Sequence, residues 1–183
     1  MSETAIRIAG ITPETFPAWR ALRLRAVKDH PDAFGGSWED YAALSEEEAA
    51  SAFFAPLGPR SRVWGAFAAD GALLGTVGLF CDSGSKMGHR AHVWGMYVAP
   101  EGRGHRIGER LLAEAIACAR SIEGVLQVHL AVTSHNHAAK RLYARMGFVR
   151  YGVEPRVLIV DGVGYDEDLM VLMLDGGGPG GDA

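Results

Sequence analysis

Two short stretches of the 183-residue chain concentrate groups suited to holding an anion and moving a proton. The first is "YVAPEGRGHRIGER", Tyr97 to Arg110. An apolar run stops at Pro100. Gly102, Gly104 and Gly108, interleaved with Arg103, His105 and Arg106, then lead into an amphipathic pattern. A helix start offers unpaired N–H groups and a positive dipole end, and glycine lets backbone come close to a phosphate. One reading puts a pyrophosphate on the amides of Arg103 through Gly108; the other is a plain strand-to-helix turn with solvated arginines. The spacing G-x-G-x-x-x-G is neither a phosphate loop closed by G-K-[ST] nor the dinucleotide fingerprint, and no acidic strand end follows about twenty residues on. The second stretch is "NHAAKRLYARMGF", Asn136 to Phe148. Tyr143 falls seven residues after Asn136, two helical turns, so both lie on one face. An amide there can orient a ligand and a phenol can give up a proton. The competing reading is a core tyrosine with its hydroxyl on backbone.

Together the two stretches resemble the GNAT acyltransferase superfamily, whose acyl donor is acetyl-CoA. Its first motif reads roughly [RQ]-x-x-G-x-[GA] after a strand ending V-x-P. Val98, Pro100, Arg103 and Gly108 match it, and Arg106 stands where the middle glycine belongs. Its second motif reads N-x-x-A-x-x-[LF]-Y-x-x-x-G-F, matched at every named position by Asn136, Ala139, Leu142, Tyr143, Gly147 and Phe148. The resemblance covers about residues 85 to 175. It implies an α/β (α+β) fold with a mixed, mostly antiparallel central sheet and helices on both faces.

The resemblance further implies a donor site. The strand Val93 to Val98 would hold the pantetheine arm, with Met96, Tyr97 and Val98 in contact, and an N–H of Tyr97 or Val98 would polarise the thioester carbonyl. Arg103, Gly104, His105, Arg106, Ile107, Gly108 and Glu109 would carry the phosphates. Asn136, Ala139, Lys140 and Tyr143 would complete the site, with Tyr143 as the acid that protonates the departing thiolate. Lys140 and Arg141 either meet phosphate or face solvent. Residue 106 is expected in the first helical turn with ordinary helical backbone angles, which a side chain tolerates. The implied reaction is direct attack of a primary amine on acetyl-CoA in a ternary complex, without metal or covalent enzyme intermediate. The alternative is a non-catalytic or regulatory acyl-CoA-binding module.

His92 is the chosen general base, from a set that includes His129, Glu39, Tyr41, Asp166 and a water chain; histidine has the fitting intrinsic pKa. His135 and His137 stand two apart with no third partner, so no metal centre is expected. Phe34 in the "DAFGGS" loop and Trp38 and Tyr41 just after it are the candidate acceptor wall. Glu154, Arg156 and the "YDED" run from Tyr165 would close the other side, an acidic rim suited to a cationic amine. The acceptor is either a small-molecule amine or a protein or peptide amine.

The elements that must position these groups follow from pattern. A weak strand over Ala5 to Ala9 precedes a helix capped by Thr12 with Pro13 at its first position and ending near His30. A second helical region spans about 38 to 55, with Ser45 and Glu48 at capping-box spacing. Asp70-Gly71 turns a hairpin. A strand to Pro100, a helix from Ile107, the strand "LQVHLAV", a helix ending at Gly147 and a closing antiparallel pair complete one domain over 1–175. The Gly-rich tail 176–183 is read as disordered. A net charge of −4 argues against a general nucleic-acid binder. No run reaches membrane-spanning length, and no leader is visible, so a cytoplasmic location is expected. Cys81 and Cys118 read as reduced, partly buried thiols. A homodimer could pair through late strands, where "DLMVLML" reads as interface or as core.

Overall fold

In the computed structural model, which describes residues 6–174, seven strands share one sheet. They are Arg7–Gly10 (β1), Ser61–Phe67 (β2), Leu73–Cys81 (β3), Arg90–Val98 (β4), Gln127–Thr133 (β5), Val149–Val160 (β6) and Val163–Met173 (β7). The spatial order is β1-β2-β3-β4-β5-β7-β6, and every neighbouring pair is antiparallel except β4 with β5. Five helices cover it: Phe16–Asp29 (α1), Trp38–Ala43 (α2), Glu46–Phe54 (α3), Ile107–Ser121 (α4) and His137–Arg145 (α5). The expected tail lies outside the described residues.

The apolar face of α4, Ile107, Leu111, Leu112, Ala115 and Ala119, is almost fully buried against Val77, Leu79, Val93 and Val128. On the opposite face α1 and α3 bring Phe16, Trp19 and Phe53 onto Val63 and Phe67. Trp19 also donates its indole N–H to Thr76 Oγ1 at 3.0 Å, and Thr76 donates to the Trp64 carbonyl, so this buried polar pair is satisfied and fixes α1 along the sheet.

Two local expectations are corrected and one open alternative is decided. The first helix starts at Phe16 and is preceded by Thr15, with Pro17 in its first turn. Thr12 is instead tied to Thr15 in a turn ahead of the helix, its N–H donating to Thr15 Oγ1 at 2.9 Å. The 38–55 region is two helices, because Leu44 turns extended and Ser45 opens α3 with the expected capping box. The run "DLMVLML" is core, since β7 lies between β5 and β6 and buries Met170 and Val171. Cys81 and Cys118 are free. No helix among the described residues is long and apolar enough to cross a membrane.

Candidate active site

The parallel contact between β4 and β5 is only three residues long, Arg90–His92 against Gln127–His129. Beyond it the two strands diverge and leave a wedge. A bulge keeps β4 on that course: between Thr76 and Gly78 of β3, β4 advances from Tyr97 to Trp94, one residue more than its partner. Gly95 takes φ +61° at this bulge, a region that costs most side chains energy. The extra residue resets the alternation of faces. Val93 and Met96 both pack on the α4 side, whereas Trp94 and Tyr97 pack on the α1 side.

The ladder decides which β4 amides face the wedge. Ala99 N–H donates to the Leu74 carbonyl, so Tyr97, two residues earlier, also points its N–H at β3. The N–H groups of Met96 and Val98 therefore face the wedge. Of the two amides expected to polarise a thioester, Val98 remains a candidate, Tyr97 is excluded, and Met96 takes its place.

The wedge holds a cavity of about 90 Å³ lined by Gly95, Met96, Thr133, Asn136 and Tyr143. It continues into one of about 510 Å³ that reaches Val98, Arg103, Gly108 and Leu142. At that end the N–H groups of Gly104, His105, Arg106, Ile107, Gly108 and Glu109 find no acceptor among the described residues. Six consecutive free amides over a helix start are an anion cradle. A Cβ on Gly108 would lie 3.1 Å from a Leu142 methyl, so the helix start packs tightly against α5 here. His105 Nδ1 lies 3.0 Å from the Arg103 carbonyl, and the Glu109 carboxylate pairs with Arg145 at 2.8 Å.

Arg106 is not in an ordinary helical conformation. It caps α4 with φ 53° and ψ 23°, the left-handed region, and its carbonyl accepts from Arg110 N–H at 3.1 Å. The expected first-turn geometry is thereby overturned, and the position where the superfamily motif has glycine is one that demands a positive φ.

On the second motif, Asn136 caps α5, its side-chain oxygen accepting from Ala139 N–H at 3.1 Å. That leaves its amide NH₂ free beside the wedge. Tyr143 is buried, and burial pushes its phenol up to about 12. Among the described residues its hydroxyl finds no oxygen or nitrogen acceptor and donates to a sulfur, Met96 Sδ at 3.7 Å. Lys140 does not reach the phosphate end. Its Nζ lies 2.6 Å from the buried Asp168 carboxylate and donates to the Ser134 carbonyl at 2.9 Å. Burial alone would raise Asp168, but Lys140, Ser134 and Arg150 together hold it below its usual range. The expected donor-binding role of Lys140 gives way to bracing the β5–α5 turn.

His92, like Lys140, is not among the residues that line the wedge. Its ring is stacked between Phe80 and His129, with Nε2 3.0 Å from an Asp82 carboxylate oxygen and off the hydrogen-bond line. His129 beside it is held down to about 4, first by burial and then by the charges of Arg90 and His92. Neither ring lines the wedge cavities.

Of the three residues expected on the acceptor side, Phe34 and Trp38 line one groove and Tyr41 does not. Phe34 lines the wedge, the larger cavity it opens into and an open groove of about 730 Å³, which Trp38 and Glu39 share with Val157–Asp161 at the β6–β7 tip. The loop carrying Phe34 is tied to the end of β5 by Thr133 Oγ1, which donates to the Asp32 carbonyl at 2.8 Å, and by His135 on the Asp32 carboxylate at 2.6 Å. Tyr41 lies behind this loop, over Arg23. Two participants went unread in the sequence. Gly95 carried no visible signal. Arg23 did: it falls on the same helical face as Trp19 and Ala26, where a charge is out of place. Among the described residues no cluster of His, Cys, Asp or Glu is placed to hold a metal.

The profile of the Acetyltransferase (GNAT) family matches residues 22–148. A mycothiol acetyltransferase from Thermobispora bispora is 35% identical over 143 residues; the match takes in 75% of this chain and 44% of that relative, so the shared part is less than half of that protein. A GCN5-related N-acetyltransferase from Kribbella flavida superposes with a TM-score of 0.77 at 27% identity, covering 93% of this chain and 98% of the other. The yncA structure from Salmonella typhimurium, solved with its cofactor acetyl-CoA, has a TM-score of 0.80 at 21% identity, over 97% and 98% of the two chains, a likeness of fold.

Proposed function

The chain belongs to the Acetyltransferase (GNAT) family, and on that premise we propose that it is an acetyl-CoA-dependent N-acetyltransferase acting by direct attack of an amine in a ternary complex. The observation that carries this reading is the wedge itself: a gap between β4 and β5 with free strand amides on one wall, Asn136 and Tyr143 on the other and six free amides at its far end.

The pyrophosphate of the donor would rest on the amides of Gly104 to Glu109, with Arg103 beside them. The pantetheine arm would run along β4 as a partial strand, bonding to Met96 and Val98 where β5 has withdrawn. One of those N–H groups would face the thioester oxygen and stabilise the charge that develops there. The free amide of Asn136 would hold the arm from the other side.

The role of Tyr143 follows from magnitudes. Its phenol stands at about 12, and an ordinary thiol at about 8.5, so full transfer to the departing thiolate is uphill by about 5 kcal/mol. Tyr143 therefore acts as a hydrogen-bond donor that spreads charge on sulfur, with its proton retained. The proton that sulfur finally takes is the one the acceptor nitrogen loses as the C–N bond forms. The acceptor arrives as an ammonium, and the open groove lets it shed its first proton to water.

Two measurements test the reading. Calorimetric titration with acetyl-CoA should give micromolar binding that Arg103→Ala weakens. Thiol release from acetyl-CoA should depend on an added amine. Absence of binding at millimolar donor would overturn the assignment.

A further inference from the structure

Arg23 on α1 is 7% exposed, yet its charge has no partner. Nη2 donates to the Tyr41 hydroxyl at 3.2 Å, and the guanidinium lies 4.5 Å from the Phe34 ring centroid and 5.3 Å from that of Tyr41. Nε and Nη1 are buried without an acceptor, and among the described residues no carboxylate lies within ion-pair distance. On the same helix Arg25 bonds the Glu101 carboxylate, and Arg20 bonds the Leu44 carbonyl through Nη2 although its Nε is also buried without a partner. Aromatic faces soften the cost of a buried cation but leave its N–H groups unmet.

The surroundings say where a missing anion would come from. A methyl group on Gly95 would lie 3.3 Å from Arg23 Nη1, so the guanidinium abuts the β4 bulge that lines the wedge. Arg23 also lines a mostly apolar cavity of about 190 Å³ with Trp19, Tyr41, Phe53 and Trp94. Trp94 is a wall common to this cavity and the wedge. The orphan N–H groups thus stand on the α1 side of the wedge, away from the α4 cradle that would take the donor.

We infer that the acceptor is an amino carboxylate, an α-amino acid with a compact apolar side chain, one of whose carboxylate oxygens meets Nη1 of Arg23, the nitrogen that abuts the bulge. This rests on the N-acetyltransferase reading. Nη1 offers that oxygen a charge-assisted N–H, and Phe34 and Tyr41 hold the guanidinium in place. The amine then lies at the bulge, where the acetyl carbon would be. The amine nitrogen bonds to that carbon, the C–S bond breaks, and the proton lost by nitrogen ends on sulfur, giving the N-acetyl amino acid and free CoA. An acceptor without the carboxylate would leave the buried charge unmet, which is what makes the site selective.

The test reads CoA release by the full chain with the twenty proteinogenic amino acids, their C-terminal amides and their decarboxylated amines. The expected result is a kcat/KM for at least one free apolar amino acid about tenfold or more above its amide and its decarboxylated form. Arg23→Met should cut that value about 30-fold while changing the value for the amide by less than about threefold, and Arg23→Lys should keep part of the preference. Acetyl-CoA affinity is measured on each variant and should be unchanged. Amides used as well as the acids, or equal losses on both in Arg23→Met, would overturn the inference and leave the transferase reading intact. Donor binding with no turnover of any of these amines also overturns it. Failure of wild type to bind acetyl-CoA sinks the transferase reading as well. If Arg23→Met does not fold, the wild-type comparison of acid with amide decides alone.

Discussion

Replacing Arg106 by glycine should make the protein more stable, although it deletes a long side chain. Arg106 holds φ 53° and ψ 23° at the start of α4. For a residue with a Cβ, that region costs about 1–2 kcal/mol against the right-handed one. Glycine escapes this cost but brings a more disordered unfolded chain, worth about 0.4–1 kcal/mol against it. The side chain makes no hydrogen bond or ion pair among the described residues that would offset the difference. The balance favours glycine by about 0.5–1 kcal/mol. In a chain of 183 residues this raises Tm by about 1–4 °C. Arg106→Ala is the necessary control: it deletes the same charge and keeps the Cβ, so it should melt within about 1 °C of wild type. The assay is calorimetric melting of the three proteins without ligand, checked by urea unfolding. A glycine variant that melts at or below the alanine variant would refute the strain argument. Acetyl-CoA affinity measured on the same proteins separates a second effect. An exposed guanidinium beside a phosphate is worth less than about 1 kcal/mol, so both variants should bind no more than about fivefold more weakly, and by the same factor.

Tyr143→Phe should lower kcat by about 10- to 100-fold with little change in KM for acetyl-CoA, because only a hydrogen bond to the departing sulfur is lost; an unchanged kcat would remove Tyr143 from the mechanism. Stability should fall in acid through His129. Its folded value of about 4 lies below the ordinary 6.5, so the unfolded chain binds the extra proton, and the contribution is complete above pH 6.5 and lost as pH drops toward 4. Urea unfolding from pH 7 to 4 should show a loss from this group of about 2 kcal/mol, after allowing for its partial contact with solvent, and His129→Leu should flatten that part of the profile. Lys140→Met should destabilise the fold by about 2–3 kcal/mol by leaving the Asp168 carboxylate with Arg150 and Ser134 alone. A variant that melts like wild type but binds acetyl-CoA more weakly would return Lys140 to the donor site.

What the residues disclosed, and what they withheld, divides along physical lines. Asn136 and Tyr143 were legible because their roles are local: one caps a helix start and the other lies two turns along it, and sequence spacing encodes both. The Asp70-Gly71 hairpin and the Ser45 capping box were legible for the same reason. The bulge at Gly95 was not, since it exists only as a mismatch of register between two strands, and nothing in β4 alone records that Met96 would face where Val93 faces. Lys140 was misassigned because its partner, Asp168, lies 28 residues away and reaches it only after β7 inserts between β5 and β6. His92 was chosen for its intrinsic chemistry, but the parity of its strand puts it on the face away from α4, beside Asp82. Arg106 shows the opposite error. A motif glycine stood for a backbone angle, and a side chain there was taken to mean that the angle was ordinary.

The three-residue seam between β4 and β5 also has a mechanical meaning. It is the shortest join in the sheet, with β1–β4 on one side and β5–β7 on the other. A molecule lying along β4 in the wedge would add rungs to a ladder that the chain leaves unfinished. Occupancy and cohesion are then the same quantity, so a ligand at 100 times its Kd would tighten the fold by about 2.7 kcal/mol. Slowed amide exchange should be concentrated on the two strands flanking the seam. Empty, the protein would breathe along that line; loaded, it would behave as a single uninterrupted sheet.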